Sequence, residues 1–189
     1  MFKREYAKQA LGNVIIVPPD SSWPAHFEQE RERLRPILGP IAEMLQHYGS
    51  TAIPGLHAKP IIDMMAPVNS LRNADELCPM LVFAGYINID VGFKKRRFFR
   101  RDMEGAKLAF HLHLVVSPAW PVKNELLLCD WLIQHAEVAR DYENLKVKLA
   151  AQYADDMPRY TEEKSTFLRN VVNDARVSLG LPAEHDWEE

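Results

Sequence analysis

Residues 46–65, QHYGSTAIPGLHAKPIIDMM, constrain this chain more than any other stretch. Strand-like residues run into a small-residue turn, Gly49-Ser50-Thr51, and a second turn follows at Pro54-Gly55. Lys59-Pro60 then leads into an apolar run with a single acid, Asp63, between Ile61-Ile62 and Met64-Met65. A carboxylate in such a run costs free energy unless a partner, a metal or a cleft receives it. Gly49 permits close backbone approach. Ser50 and Thr51 add hydroxyls, and the N–H groups of such a turn can cradle an anion. Gly-Ser turns are common, and Lys59 alone is an ordinary loop lysine. With Asp63 close behind, Gly49, Ser50, Thr51 and Lys59 are the candidate phosphate-binding residues.

The elements follow from hydrophobic period and punctuation. Residues 1–12 are a polar arm. Val14 to Val17 is a short β-branched strand ended by Pro18-Pro19. Ser21-Ser22-Trp23-Pro24 opens a charged helix with a thin apolar stripe at Phe27 and Leu34, interrupted at Pro36. Ile61 to Val68 is expected as a buried strand, while Ile41 to His47 fits strand or helix by pattern and only a resemblance set out below favours strand. A helix spans Ser70 to Gly85, with Pro79 inside it. Tyr86 to Phe93 is β-like. Lys94 to Arg101 and Lys107 to Ser117 form a hairpin around 102–105.

From Val122 the spacing becomes helical: one long helix, or two meeting near Ala136, a loop at 153–158, and a last helix from Thr161 that Gly180 and Pro182 stop. The expected class is α/β (α+β by strict class): a small mixed β-sheet with flanking helices and a C-terminal helical subdomain. At 189 residues the default is one domain, 13–182, with 122–182 its helical part and 183–189 a frayed tail. A net charge of −3 does not suit a general nucleic-acid binder. Cys78 and Cys129 lack metal-ligand spacing, no apolar run reaches membrane-span length, and the N-terminus is too polar for a secretory signal. A cytoplasmic protein without a membrane partner is expected.

The stretch also resembles the signature of the GrpB family, roughly H-V-G-S-T-A-V-P-G-L-A-x-K-P-I-I-D. His47, Gly49, Ser50, Thr51, Pro54, Gly55, Leu56, Lys59, Pro60, Ile61, Ile62 and Asp63 fill it. The resemblance continues through His111-Leu112-His113, Trp120, Asp130, His135, Glu137, Ala139, Tyr142, Leu145, Lys146, Tyr160, Thr161 and Lys164. Cys129, Ile133 and Ala136 depart from it, standing where the family has two arginines and a proline. The family is placed in the DNA polymerase β-like nucleotidyltransferase fold. There a Gly-Ser turn precedes a strand whose Asp-x-Asp or Asp-x-Glu pair holds magnesium. The resemblance thus implies a nucleotidyltransferase-like protein that binds a nucleotide or other phosphate-bearing ligand, with nucleotidyl transfer, a one-metal or hydrolytic variant, or no chemistry all left open. Met65 occupies the second acid's position, which does not fit ordinary two-metal transfer.

Three further groups complete the candidate set. His111 and His113 lie two apart on a strand, so both point to one face. With Asp63 on a neighbouring strand they would hold a divalent ion, magnesium or manganese, and act as the catalytic set. The alternative is ordinary buried histidines bonded to backbone. Lys94 to Arg101 carries six cations in eight residues, with Lys95, Arg97 and Arg101 on one face and Lys94, Arg96 and Arg100 on the other. Lys95 and Arg97 are the candidates there for phosphate. The run either shields an edge strand or binds RNA, with Phe98-Phe99 stacking a base. A non-catalytic nucleotide- or RNA-binding module is therefore the competing reading. Lys146 and Lys164 would close the ligand cleft if the helical half packs on the sheet; otherwise they are surface lysines.

Overall fold

The two strands richest in apolar residues form the centre of the sheet. β2 (Ile61–Val68) and β5 (Ala109–Val116) pair in parallel, as strands covered on both faces tend to do. β1 (Gln46–Tyr48) adds antiparallel to β2, β4 (Arg96–Asp102) antiparallel to β5, and the two-residue β3 (Ile87–Asn88) caps β4. The order is β1-β2-β5-β4-β3. This computed structural model describes residues 14–184 apart from 104, 106, 107 and 119. The arm at 1–12 and the tail beyond 184 lie outside the described residues.

Strand alternation divides the sheet into two faces. Ile62, Met64, Ala66, Val68, Phe99, Leu112 and Leu114 pack against α1 (Trp23–Leu38) and α2 (Leu71–Phe83). Met65, Val115 and Tyr48 pack on the other side against α3 (Asn124–Gln134), α4 (Ala136–Gln152) and α5 (Met157–Ser178). Helices therefore cover both faces of a mixed sheet. No helix among the described residues is long and apolar enough to cross a membrane.

Several boundaries differ from expectation for local reasons. Val14–Val17 makes only an isolated bridge from Val17 to Ala58, because Pro18 and Pro19 have no N–H to extend a ladder. Val14 instead donates its N–H to the Ala154 carbonyl at 3.0 Å. The first helix runs through Pro36 to Leu38, forfeiting only one helical bond near its end. Gly39–Met44 is a 3-10 turn rather than a strand, with Pro40 in its first turn setting helical φ, so β1 begins only at Gln46. The last helix starts at Met157, not Thr161. The Asp156 carboxylate accepts the Arg159 N–H at 3.1 Å, and Pro158 sits in the first turn, where its missing N–H is not needed. The tail is docked as far as Glu184, whose N–H reaches Asn173 and whose carboxylate meets Arg176.

Candidate functional site

Strand register brings the predicted residues together. Asp63 lies opposite His111, and His111 opposite Arg100; Met65 lies opposite His113, and His113 opposite Phe98. Residues paired this way share a face, so Asp63, His111 and Arg100 form one row across three strands. This is the face covered by α3–α5. The His111 Nδ1 is 3.1 Å from Asp63 Oδ1. His111 and His113 are each 7% exposed, whereas the Asp63 side chain keeps 29% of its surface open. His113 stacks on Phe98 with centroids 4.5 Å apart, and the Arg96 guanidinium lies 3.4 Å from its Nδ1. Burial, first, and the nearby Arg96 charge push the His113 pKa well below its ordinary value. The ring is thus neutral, the form that ligates metal. Asp63, His111 and His113 offer one ligand atom each within 4.8 Å of one another.

The small-residue turn sits directly beside this acid. Gly49 has φ +74°, and a Cβ there would lie 2.7 Å from Asp63 Oδ2. Glycine is needed both for the left-handed backbone and for the carboxylate's space. Ser50 faces Tyr142 of α4, whose hydroxyl hydrogen-bonds with it. Thr51 is a correction: its hydroxyl donates to the Ile61 carbonyl at 2.8 Å and meets His47 Nε2 at 3.0 Å. It is 4% exposed, so it ties the turn to β2 and has no surface left for a ligand. His47 points to the opposite face of the sheet, stacked on Phe27, with burial lowering its pKa to about 4.

Three lysines converge from the loop before β2 and from the helical half. Lys59 and Lys164 lie over the Tyr160 ring at 5.9 and 4.3 Å, and Lys146 over the Tyr142 ring at 4.6 Å. Desolvation pulls Lys146 and Lys164 down to about 7, and Lys59 is lowered too. Lys59 depresses both of the others and Lys146 depresses Lys164, while Asp63 acts in the opposite sense on Lys59 and Lys164 and Glu143 does so on Lys146. Lys146 is 2% exposed and donates to the His57 carbonyl, so it has little surface of its own to offer a ligand. Glu143 accepts the His57 N–H at 3.0 Å and clamps the same loop onto α4. Lys59 and Lys164 are only partly buried and can touch what enters.

The basic strand splits differently from expectation. Arg97 faces α2, where Asp75 holds it bidentately at 2.6 and 2.9 Å. Lys95 is exposed just ahead of β4. Neither reaches the Asp63 face, which corrects both as phosphate ligands of this site. Phe98 and Phe99 are buried at 5% and 0%, so neither can stack a base, and the strand is not the stacking platform expected for RNA. Arg96 and Arg100 occupy the site's face instead. Arg96 is bound by Glu125 of α3 at 2.8 Å. Arg100 uses Nε and Nη2 on Asp102, while its buried Nη1 has no hydrogen-bond partner, and its charge further lowers Lys59. Arg100 was missed as a site residue. Its parity with Arg96 was visible, but its alignment with His111 depends on a hairpin register that composition does not set.

A family model described as GrpB protein matches residues 13–174. The chain is 32% identical over 167 residues to glutamate-rich protein GrpB of Alkalihalophilus pseudofirmus, covering 86% of this chain and 96% of that one. It is 32% identical over 164 residues to UPF0157 protein YqkA of Bacillus subtilis, covering 86% of this chain but 47% of that protein. It is 34% identical over 191 residues to a dephospho-CoA kinase of Mycolicibacterium paratuberculosis, covering 88% of this chain and 47% of the kinase. The chain thus spans about half the length of these last two relatives. The crystal structure of conserved protein GrpB from Enterococcus faecalis superposes with a TM-score of 0.77 at 26% identity, covering 88% of this chain and 99% of that one. Cid1 poly(U) polymerase superposes with a TM-score of 0.51 at 16% identity, covering 80% of this chain and 48% of that one. That likeness shows a nucleotidyltransferase-like fold.

Proposed function

This chain belongs to the GrpB family, and on that premise we propose that it binds a nucleotide or another phosphate-bearing small molecule on the Asp63 face of the sheet. One observation carries the reading: Lys59 and Lys164 are gathered, partly desolvated, around Asp63, with Lys146 behind them beside Glu143. Like charges repel, and desolvating them costs free energy. An anion between Lys59 and Lys164 relieves both penalties. Gly49 and Ser50 border the same space, and Arg100 extends it along the sheet. The polymerase whose fold is shared was solved bound to MgATP, a ligand of the class proposed here.

Asp63, His111 and His113 fit a divalent ion, because His111 Nε2 is buried without a partner and His113 is held neutral. Such an ion would polarise phosphate oxygens and stabilise developing charge. The chain's own contribution is positional. Asp63 and His111 hold one another's orientation, Lys59 and Lys164 neutralise phosphate, and Gly49 keeps room beside the carboxylate. Met65, 0% exposed in the core, stands where a second acid would hold a second ion. The arrangement therefore supports single-ion chemistry on one phosphate, or binding alone, over two-metal nucleotidyl transfer onto nucleic acid.

A thermal-shift panel of nucleoside mono-, di- and triphosphates and pyrophosphate tests this, since a ligand that binds only the folded state raises its melting temperature. Stabilisation by at least one phosphate compound, lost in Lys164→Met, is expected. A panel with no shift, or a shift unchanged in Lys164→Met, removes the site.

A further inference from the structure

The donor set on the Asp63 face differs from what a magnesium site requires. Mg2+ is a hard ion that takes oxygen ligands and keeps several waters, so carboxylate charge holds it in place. This face supplies one carboxylate. The position two residues on is Met65, fully buried, and the neighbouring strand supplies two imidazoles, His111 and His113. The surrounding field also opposes a simple electrostatic site: Lys59, Lys164, Arg96 and Arg100 face the same region.

Imidazole donation does not depend on a large negative charge. It suits zinc, cobalt, nickel and related first-row ions better than magnesium. His111 is built for that role. One ring nitrogen is held by Asp63 at 3.1 Å, and the other is buried with no hydrogen-bond partner. The Asp63 contact sets the ring's orientation beside the carboxylate. His113 is fixed in turn by its stack on Phe98.

We propose that Asp63, His111 and His113 select an imidazole-binding transition ion, of the cobalt, zinc or nickel type, and exclude magnesium. This rests on the reading of the face as a metal-bearing phosphate site. The selection comes from the residue types themselves: a methionine where a hard site needs an acid, and two imidazoles where it needs oxygens.

Cobalt titrated into the metal-free full chain, followed by visible absorption, tests this directly. Cobalt bound through imidazole gives visible bands. These bands are expected to form at stoichiometric cobalt, to vanish when zinc is added, and to persist in a large excess of magnesium. His111→Ala should weaken cobalt binding by at least the roughly 10–100-fold that loss of an outer-sphere partner costs a metal site. Competition on the wild type needs no variant, so the selectivity stays measurable if His111→Ala fails to fold. Bands displaced equally by magnesium would overturn the selectivity while leaving a metal site. Absence of binding by cobalt, zinc, nickel and magnesium would remove the metal. A parallel sulfate titration then shows separately whether the lysine site stands.

Discussion

Raising the pH from 7 to 8 discharges Lys146 and Lys164, and anion affinity should fall with them. Burial holds Lys146 and Lys164 near 7 instead of 10.5. Each is then about half charged at pH 7 and about one-tenth charged at pH 8, so a ligand that requires the ammonium form loses roughly fivefold in affinity per lysine. If Lys164 alone charges on binding, the dissociation constant rises about fivefold; if Lys146 charges with it, about 25-fold. Sulfate is the probe, because its own charge is constant over this range. Calorimetry in two buffers of different protonation enthalpy reports proton uptake at pH 8, expected at roughly one proton per lysine engaged. Stability of the free protein should move the opposite way. A lysine with a depressed folded pKa binds fewer protons when folded than when unfolded between about 7 and 10.5. Folding is therefore favoured as pH rises through that window, by up to about 1.4 kcal/mol per pH unit for each such lysine. Sulfate affinity that is flat from pH 7 to 8, or proton release on binding, would refute a role for the buried lysines.

Met65→Asp restores the second acid of the fold's usual pair but buries an unpaired charge, so denaturant titration should show a loss of several kcal/mol. Added divalent metal should recover part of it, and a variant as stable as wild type without metal would contradict the packing described. Gly49→Ala places a methyl group against Asp63 at φ +74° and ψ −169°, a region essentially reserved for glycine that costs about 1–3 kcal/mol by itself. Metal titration should show weaker binding as Asp63 is displaced. Arg100→Ala should weaken sulfate binding severalfold, whereas Arg97→Ala should not, since Asp75 holds Arg97 on the other face. Equal effects would mean that the strand's two faces have been misassigned.

Much of the fold was legible because its signals are local. The buried β2, the Ser70-capped helix, the β4–β5 hairpin and the break near Ala136 each follow from spacing or capping over a few residues. Asp63, His111 and His113 were legible because parity on two strands fixes a shared face once the strands are neighbours. The errors share another cause. Parity alone does not say which face of the basic strand looks toward Asp63, so the sequence cannot choose between the Lys95-Arg97 face and the Arg96-Arg100 face, and only the register sets Arg100 opposite His111. Thr51 looked like a ligand hydroxyl because its partner, the Ile61 carbonyl, lies ten residues away. The 3-10 turn at Gly39–Met44 has the same apolar residues as a strand, and only Pro40 favours the turn.

A crystal structure with a nucleoside diphosphate or pyrophosphate tests the central claim most directly. The account predicts phosphate density within hydrogen-bonding reach of Lys59 and Lys164, on the face that carries Asp63, His111 and Arg100. Phosphate bound instead at Lys95 or Arg97, or a Lys59–Lys164 space still empty at a concentration that stabilises the protein, would contradict it.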